Sequence, residues 1–307
     1  MGSKANYIGA DPGFKTGKAG LDEATSGLSL EVAEDPFEYL KSDKAVYAFI
    51  KSLGLTKNEV KANLTVLLEY QADQAICSSC PGRDKCPKDN KLSELSLELV
   101  GGRLKRFVGP CRKEKDRISL ASRFFIASCP EEWFFGKANS TKSRNDVATH
   151  LTKAMKGTGH PWVYVTGGSG SGKSFLLAKA ANKYSLAHPG CAFVSTPDIV
   201  EELKDESIRA KAKFNSDMKR LQECPLLVLD DFGNEFMSEY NYSTILYPLL
   251  NARARAKAVT FFSSDFTFEE IASMYAGKIG AIRAEKLKGL LSSFAGKERV
   301  LDGLPLD

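Results

Sequence analysis

One segment of this chain, residues 167–174, restricts the fold more than any other, and its sequence is Gly-Gly-Ser-Gly-Ser-Gly-Lys-Ser. It fits the nucleotide-binding pattern G-x-x-x-x-G-K-[ST] at every fixed position and follows the apolar stretch Trp162–Thr166. In such a loop the backbone N–H groups and the N-terminus of the next helix face the phosphates, so a strand must precede it and a helix must follow. The sequence therefore predicts a strand, a phosphate-binding loop and a helix that bind ATP or GTP.

A second segment, Leu226–Asp231, supplies the carboxylates that this chemistry needs. Its apolar residues predict a short buried strand that ends in Asp230 and Asp231, the form of a Walker B segment. We assign Asp230 to Mg²⁺ and Asp231 to the attacking water, which it can orient or deprotonate. Lys173 would contact the β- and γ-phosphates, and the Ser174 hydroxyl would bind Mg²⁺. The predicted nucleotide-binding residues are Gly167, Gly168, Ser169, Gly170, Ser171, Gly172, Lys173, Ser174 and Asp230.

A third polar position follows the apolar run Val259–Ser263, which continues into Ser264 and Asp265. If this run lies beside the Walker B strand, Asp265 can sense the γ-phosphate or hold the attacking water. The alternative is that Asp265 caps the helix predicted over Phe268–Met274, a role that aspartate fills readily. We favour the catalytic interpretation.

From Trp162 onward, short apolar runs alternate with longer segments of helical period, which indicates a parallel sheet with helical crossovers. The predicted fold class is α/β, with helices on both faces of a five-stranded parallel sheet. Upstream, two helices are predicted over residues 36–53 and 57–70, with Thr56 as an N-cap, and Ser96–Val100 resembles a short strand. We expect a flexible tail over 1–27, a helical and cysteine-rich domain over 28–113 and a nucleotide-binding domain over 114–307.

The composition excludes several classes of protein. Among 307 residues, 43% are apolar and 26% are charged, as in globular domains, and a formal net charge of +5 is compatible with a polyanionic partner without demonstrating one. No apolar run approaches the roughly 18 residues of a transmembrane helix, and the N-terminus lacks the apolar region of a secretory signal. Seven cysteines without an export signal argue against a disulfide framework. We therefore predict a cytoplasmic location.

Four of the cysteines form a group with the spacing of metal ligands. Cys77 and Cys80 form a C-x₂-C pair, Cys86 follows closely, and Cys111 is the candidate fourth ligand, with Cys129 as a possible substitute. Four thiolates complete the tetrahedron that structural zinc prefers, so we predict a Zn²⁺ site. Redox-active or unligated cysteines are the competing interpretation.

Basic residues cluster between the second strand of the nucleotide-binding domain and the Walker B strand, with an aromatic residue, Phe214, among them. This arrangement could follow the phosphates of a single DNA strand and stack a base, although a solvated basic helix face has comparable weight. Arg253 and further basic residues near the C-terminus could reach a neighbour's γ-phosphate as an arginine finger. The basic residues of the cluster are Arg209, Lys211, Lys213, Lys219 and Arg220.

The chain resembles the DnaC/DnaI-type replicative helicase loaders, which are AAA+ ATPases of the initiator clade. The resemblance rests on the phosphate-binding loop of residues 167–174 (the P loop, or Walker A segment), on Asp230 with Asp231, and on the run Thr260–Asp265. Helices followed by Leu68-Glu-Tyr70 and the cysteine module resemble the Gram-positive members. The resemblance covers roughly residues 35–300 and is strongest over residues 162–266.

This resemblance implies a function that composition did not indicate. The N-terminal domain would bind the replicative DnaB-type hexameric helicase, and an AAA+ domain without a full lid would bind ATP and single-stranded DNA while it opens or remodels that ring. It also implies self-association on the helicase. Lys173 and Ser174 match the Walker A pair of the family, and Asp230 with Asp231 match the Walker B pair.

Two positions depart from the pattern of the family. Asp265 lies where loaders usually carry an asparagine, and a carboxylate cannot donate a hydrogen bond as an amide does. Lys286 lies where the arginine finger is expected, with Arg283 one helical turn earlier, and lysine lacks the planar two-pronged contact of arginine. Either Arg283 serves as the finger or hydrolysis activated between subunits is weak. The predicted catalytic residues are therefore Asp231, Asp265 and Arg283.

Two further functions stay open. A transposition-helper ATPase of the IstB type shares the ATPase core but lacks such a cysteine module. A non-hydrolysing adaptor would use ATP binding only to order a surface for the helicase or DNA.

Overall fold

A computed structural model describes residues 40–302, and the chain divides into two units after Glu114. The predicted flexible tail, residues 1–27, lies outside the described residues, as does the start of the next predicted domain up to residue 39. We describe each unit by itself.

The described part of the first unit contains helices and one antiparallel hairpin. Asp43 interrupts the helix predicted over residues 36–53, because its carboxylate accepts hydrogen bonds from the backbone N–H groups of Ala45 and Val46 and starts a new helix. Thr56 caps the second helix as predicted, in a reciprocal capping box with Glu59. The elements are α1 (Lys44–Ser52), α2 (Lys57–Ala62), α3 (Leu64–Ser78), β1 (Ser93–Val100) and β2 (Arg103–Pro110).

Asn63 breaks the helix predicted over residues 57–70 and connects it to the hairpin. Its amide accepts a hydrogen bond from the Leu104 N–H at 2.8 Å and donates to the Glu59 carbonyl at 2.7 Å. Leu97 of β1 and Leu104 of β2 join the small core of this unit, whose other fully buried members come from the helices. The hairpin is longer than the strand predicted over residues 96–100 because β2 pairs with β1 along all eight positions.

The second unit is built on a sheet of six parallel strands in the spatial order β3-β5-β6-β7-β4-β8, one more than the five predicted. The edge strand β8 has only two residues, which is too short for a sequence pattern to indicate. The strands are β3 (Phe124–Ala127), β4 (Trp162–Thr166), β5 (Cys191–Ser195), β6 (Leu226–Asp230), β7 (Val259–Ser264) and β8 (Arg299–Val300).

Helices cover both faces of this sheet, as predicted, and alternate residues of each strand enter two separate cores. In β4, Trp162 and Tyr164 pack into one core, and Val163 and Val165 pack into the other. The helices are α4 (Arg112–Arg123), which contains the division between the units, α5 (Glu131–Phe135), α6 (Lys142–Met155), α7 (Lys173–Ser185), α8 (Thr196–Arg209), α9 (Lys211–Glu223), α10 (Glu239–Asn241), α11 (Tyr247–Arg255), α12 (Phe268–Ile279) and α13 (Ala281–Ala295), with a π-helical turn over Tyr242–Leu246.

The described residues after Asp265 form only α12, α13 and β8. The α12 helix packs against α13, and the Phe294 ring of α13 lies 5.1 Å from the ring of Trp162 in the sheet. Both helices therefore belong to one covering layer of the sheet. Within residues 40–302, no helix has the length and apolar character required to cross a membrane.

Arg253 lies in the core of the second unit and is fully buried. Its guanidinium donates to the backbone carbonyls of Leu221, Cys224 and Val259 at 2.8, 3.0 and 2.6 Å, and to the Thr260 hydroxyl at 2.9 Å. It thus joins the end of α9 to the start of β7. The prediction that Arg253 could act as an arginine finger is wrong, because the side chain cannot leave without exposing these acceptors.

We expect Arg253→Met to destabilise the second unit by about 3 kcal/mol or more, because it leaves several buried carbonyl groups without a donor. Urea denaturation followed by tryptophan emission measures this unit alone, since both tryptophans of the chain, Trp133 and Trp162, lie in it. Arg255→Met, at an exposed position two residues later, is the control and should leave the midpoint unchanged. Equal midpoints for both variants would contradict a structural role for Arg253.

Candidate nucleotide site

Three strand ends meet at one edge of the sheet and place the predicted site residues there. The strands β4, β6 and β7 are parallel neighbours, with Val165 aligned with Ser263 and Leu229 aligned with Phe262. The carboxyl ends of β4 and β6, which are Thr166 and Asp230, therefore lie at the same edge as the end of β7. The P loop, the two Walker B carboxylates and Asp265 all follow these ends.

The P loop needs glycine at specific positions. Gly172 has a φ of 90° immediately before α7, a left-handed conformation that favours glycine. A Cβ atom on Gly167 would lie 2.5 Å from the backbone oxygen of Leu301, so no larger residue fits there. Leu301 in turn donates its N–H to the Thr166 carbonyl at 2.7 Å. The segment after β8 therefore supports the start of the loop.

The Lys173 ammonium, only 6% exposed, donates three hydrogen bonds. Two go to P-loop carbonyls, Gly167 O at 2.8 Å and Gly168 O at 3.0 Å, and the third goes to Asp265 Oδ1 at 2.8 Å. An ammonium group has three N–H donors, so all of them are used. A phosphate that binds Lys173 must therefore compete with these acceptors, and with the Asp265 carboxylate above all.

Asp230 is buried at the end of β6 and is held by two hydroxyl groups. Ser263 of β7 donates a hydrogen bond to Asp230 Oδ1, and the Ser174 hydroxyl contacts the same carboxylate. Burial raises the pKa of Asp230, while the bonds from Ser263 and Ser174 oppose that rise. The predicted metal ligands Ser174 and Asp230 are therefore adjacent, as the Walker A and Walker B assignments require.

Asp231 follows directly but has an unusual backbone conformation, with a φ of 55°. The same Ser263 hydroxyl accepts the Asp231 N–H at 3.0 Å and helps to hold this conformation. Partial burial raises the pKa of the Asp231 carboxyl, and the charge of Asp265 raises it further. A raised pKa suits a group that takes a proton from water. The helix after Asp265 is capped by Thr267, so the alternative that Asp265 is its N-cap is wrong.

These residues fit a magnesium nucleotide. The Ser171 hydroxyl is buried within the loop and has no hydrogen-bond partner in the described part of the chain. The Ser174 hydroxyl and the Asp230 carboxylate are oxygen donors of the kind that Mg²⁺ prefers. Among residues 40–302 no group of three or more histidine, cysteine, aspartate or glutamate side chains is placed to hold a metal. The protein would therefore share Mg²⁺ with the phosphates and water instead of enclosing it.

The loop after Asp231 is tied to α12 by a buried carboxylate, Glu235. Its side chain accepts a hydrogen bond from the Gly233 N–H at 2.7 Å and one from the Tyr275 hydroxyl of α12 at 2.6 Å. Burial raises the pKa of Glu235, and these two donors oppose the rise. A Cβ atom on Gly233 would lie 2.4 Å from Ile271 Cδ1, so glycine is required for this close packing. The loop that follows Asp231 is therefore held against α12 by both hydrogen bonds and packing.

Sequence reasoning missed three residues of this site. Ser263 lies within an apolar run, and Glu235 follows a motif without belonging to it, so neither carried a local signal. Arg144 of α6 is buried and its guanidinium donates to the Ser171 carbonyl at 3.5 Å, which supports the P loop from behind. Arg144 is the one that helical spacing could have indicated, because it lies on the same face of α6 as the buried residues Val147 and Leu151.

The predicted finger residues lie elsewhere on the second unit. Arg283 is on α13, half exposed, where its guanidinium donates to Glu239 Oε1 at 2.6 Å. Lys286, one turn later, is exposed. Within one chain, the Arg283 side chain therefore pairs with Glu239. The role of Arg283 as an arginine finger stays a prediction.

The four cysteines of the predicted zinc site do not form a metal-binding group. The Lys88 ammonium contacts the Cys77 thiol and also donates to Asp73 Oδ1 at 2.6 Å. Backbone N–H groups donate to Cys86 and lower the pKa of its thiol. Within residues 40–302, no group of three or more potential ligands is placed to hold a metal ion. The structure does not support the zinc site of Cys77, Cys80, Cys86 and Cys111.

The basic cluster of α8 and α9 also differs from the prediction. Phe214 is buried, with 6% of its surface exposed, and cannot stack a base. Lys213 forms ion pairs with Glu206 and Asp217, which offset its charge. The cluster spans two helices, since α8 ends at Arg209 and α9 begins at Lys211, and Phe214 of α9 packs into the core. The cluster is therefore mostly a paired, solvated face.

The chain is similar to a known protein family and to a characterised protein. The family described as IstB-like ATP binding protein matches residues 112–281. The replicative helicase loader DnaI of Bacillus subtilis (strain 168) is 27% identical over 253 residues, which cover 76% of this chain and 79% of that protein.

Among solved structures, a crystal structure of DnaI is similar with a TM-score of 0.51 and 20% identity, and the match covers 59% of this chain and 98% of that one. A crystal structure of the DnaC helicase loader aligns with a TM-score of 0.46 at 18% identity, covering 56% of this chain and all 100% of the other. At such identity the likeness to DnaI shows the fold alone, an α/β fold with a parallel sheet.

We expect Asp265→Asn to bind ATP more tightly by about 1 kcal/mol, which is roughly fivefold in Kd, because it removes a negative charge that pairs with Lys173 and repels phosphates. It should also lower the pKa of Asp231, which must be ionised to accept a proton. The acidic limb of the pH–rate profile for ATP hydrolysis therefore moves to lower pH. Titration with a fluorescent ATP analogue and steady-state rates measure both effects.

The matched control is Asp198→Asn, since Asp198 also raises the pKa of Asp231. The hydrogen bonds of Lys173 go to the two P-loop carbonyls and Asp265, so Asp198 is not among its partners. This control should leave ATP affinity unchanged. If Asp265→Asn weakens ATP binding, Asp265 assists the nucleotide and the competition inferred above is wrong.

Proposed function

Because this chain belongs to the IstB-like ATP binding protein family and is a homologue of the DnaI helicase loader, we propose that it loads the replicative hexameric DNA helicase onto single-stranded DNA at the expense of ATP. The observation that carries the proposal is the alignment with DnaI, which covers 76% of the chain. That share is larger than residues 115–307 supply, so the likeness reaches into the first unit. A relative that shared only the nucleotide-binding unit would support ATP binding alone.

The second unit is the proposed ATPase. The P loop and Lys173 would bind the phosphates, and Ser174 with Asp230 would hold Mg²⁺. Bound Mg-ATP supplies the phosphoanhydride bond that breaks and a metal charge that offsets the negative oxygens. The Asp231 carboxylate takes a proton from the attacking water, and ADP and phosphate are the products. Burial raises the pKa of Asp231 and the charge of Asp265 raises it further, while Asp265 also pairs with Lys173, so Asp265 would influence both binding and turnover.

Arg283 is the proposed trans-acting residue. It lies on the exposed face of α13, and its ion pair with Glu239 is half exposed. Because exposed ion pairs contribute little free energy, Arg283 could leave Glu239 for another anion at small cost. When copies of this chain assemble on the helicase, Arg283 of one copy would reach the γ-phosphate bound by the next. Arginine suits this contact because its planar guanidinium donates two parallel hydrogen bonds.

The first unit is the proposed helicase-binding part. Its hairpin exposes several large apolar side chains near its two ends, including Val108 at 62% and Phe107 at 44%. By strand alternation, Leu99 and Val108 lie on one face of the hairpin and Val100 and Phe107 on the other. Exposed apolar side chains are typical of protein-binding surfaces. We call Leu99, Val100, Phe107 and Val108 the hairpin surface. The alignment with DnaI supports the helicase as its partner.

Single-stranded DNA would bind a different surface from the one that the sequence predicted. Phe236, which follows the Walker B loop, is 71% exposed, and the Lys204 ammonium lies 5.9 Å from its ring. The Tyr240 hydroxyl is hydrogen-bonded to Ser207 at 2.6 Å, so a second exposed ring is fixed nearby. We call Lys204, Phe236 and Tyr240 the aromatic surface. A base can stack on such a ring while the ammonium contacts a phosphate.

Two alternatives keep some support. The name of the matched family favours an IstB-type transposition helper, which would share the ATP site but not the helicase partner. The Lys173–Asp265 ion pair and the lysine at position 286 favour an adaptor that binds ATP with little hydrolysis. The adaptor implies no turnover even with helicase and DNA present, whereas a loader implies turnover under those conditions.

We expect the immobilised replicative helicase of the same organism to retain the full chain. The double variant Phe107→Ser and Val108→Ser should lose at least tenfold in affinity, because it removes the exposed apolar side chains of the hairpin. Leu186→Ser, which changes a residue that is 69% exposed in the second unit, is the control and should bind normally. Failure of the unmodified chain to bind the helicase would overturn the loader function.

We expect Phe236→Ala to weaken binding of labelled oligo-dT by about 1–3 kcal/mol, the contribution of one stacked base. Fluorescence anisotropy in the presence of Mg-ATP measures this affinity. The control is Leu186→Ala, at an exposed apolar position of similar accessibility. Equal loss in both variants, or in neither, would exclude the aromatic surface as the DNA contact.

A further inference from the structure

An open cavity of about 200 Å³ lies in the second unit, away from the nucleotide site. It is lined at its base by Trp162, the first residue of β4, whereas the P loop begins after the last residue of that strand, Thr166. At about 3.3 Å per residue the two ends of β4 are roughly 13 Å apart. The polar residues that line the cavity, besides Trp162, are His150, Lys153, Thr158, His160 and Arg299.

Trp162 forms a fixed aromatic wall of the cavity. The side chain is fully buried, and its ring is packed against Phe262 and Phe294, with centroids 5.4 and 5.1 Å away. The indole Nε1 has no hydrogen-bond partner within residues 40–302 and is too deeply buried to contact a molecule in the cavity, so the ring does not donate into it. Because Trp162 lines the cavity, its emission can report what the cavity holds.

The remaining lining groups are cationic or can donate. The Lys153 ammonium forms no hydrogen bond or ion pair with a described residue. The Arg299 side chain is only 15% exposed, and its sole ion pair is with Asp146 Oδ2, at 3.8 Å, too long for a hydrogen bond. His150 donates from Nδ1 to the Asp146 carbonyl at 2.9 Å, which leaves its Nε2 unused.

The His160 ring completes one side of the cavity. A Cβ atom on Gly296 would lie 2.9 Å from His160 Nε2, so glycine at this position allows the ring to approach. Asp146, which is 54% exposed, is shared between His150 and Arg299. Two permanent cations therefore face one carboxylate, and the local charge is positive.

We infer that this cavity binds a small phosphate-class anion, either inorganic phosphate or the phosphate of a monoester. Phosphate has enough oxygen atoms to accept from both the ammonium of Lys153 and the guanidinium of Arg299. The protonated oxygen of hydrogen phosphate can donate to the free Nε2 of His150. Such a site would let the ATPase unit respond to phosphate independently of the P loop.

The test uses the full chain with Trp133→Phe, which leaves Trp162 as the only tryptophan. Inorganic phosphate is titrated at constant ionic strength, with chloride as the replaced anion, and Trp162 emission is recorded. We expect a saturable change with a Kd on the order of 1 mM or tighter. The same change should persist when Lys173→Ala removes phosphate binding at the P loop. Repeating the titration with glycerol phosphate distinguishes free phosphate from a monoester.

Two further variants test the position of the anion. Arg299→Gln should weaken binding at least tenfold, and Asp146→Asn should tighten it, because the second substitution removes the carboxylate that pairs with Arg299. Arg255→Gln is the control and should change nothing.

Three results would overturn the proposal: emission that does not saturate, a signal lost with Lys173→Ala but retained with Arg299→Gln, or weaker binding by Asp146→Asn. The first would mean that the cavity holds only water. None of these outcomes bears on helicase binding, so the two proposals fail separately.

Discussion

The parallel hydrogen bonding of β4, β6 and β7 is the constraint on which the rest of the second unit depends. Because the three strands run in the same direction and are in register, Thr166, Asp230 and Ser264 end at one edge, and the loops that follow them must meet. The single hydroxyl of Ser263 then contacts both the side chain of Asp230 and the backbone of Asp231. Displacement of β7 by one position would turn this hydroxyl to the other face of the sheet and leave a buried carboxylate without its donor.

Electrostatics at this edge explain why a complete motif need not mean a fast enzyme. Lys173 is held by two carbonyls and by Asp265, and Asp265 in turn raises the pKa of Asp231. One carboxylate therefore opposes phosphate binding and makes the neighbouring base more basic. The two effects act on different steps of the proposed reaction, since the first concerns ATP binding and the second concerns proton transfer from water.

Local motifs were predictable from the sequence, whereas partners distant in the chain were not. Residues 167–174, Asp230, Asp231 and Asp265 were found because phosphate and metal chemistry restricts both their type and their spacing. Glu235 and Tyr275 lie 40 positions apart and share no pattern, so only the packing of α12 brings them together. Phe214 and Arg253 were misassigned for a related reason. Which face of a helix is buried depends on its neighbours, and a buried arginine is indistinguishable in sequence from an exposed one.

The bond between Glu235 and Tyr275 has a mechanical consequence. Since the carboxylate is buried and both of its donors are fixed, the loop that carries Asp231 cannot shift without moving α12 or breaking a hydrogen bond in a low-dielectric interior. The α12 helix packs along α13, which carries Arg283 on its outer side. A conformational change of the Asp231 loop would therefore be transmitted through α12 and α13 to Arg283, the residue proposed to act at the ATP site of an adjacent copy. If copies of this chain assemble as proposed, this connection would couple the position of the Asp231 loop to that of Arg283.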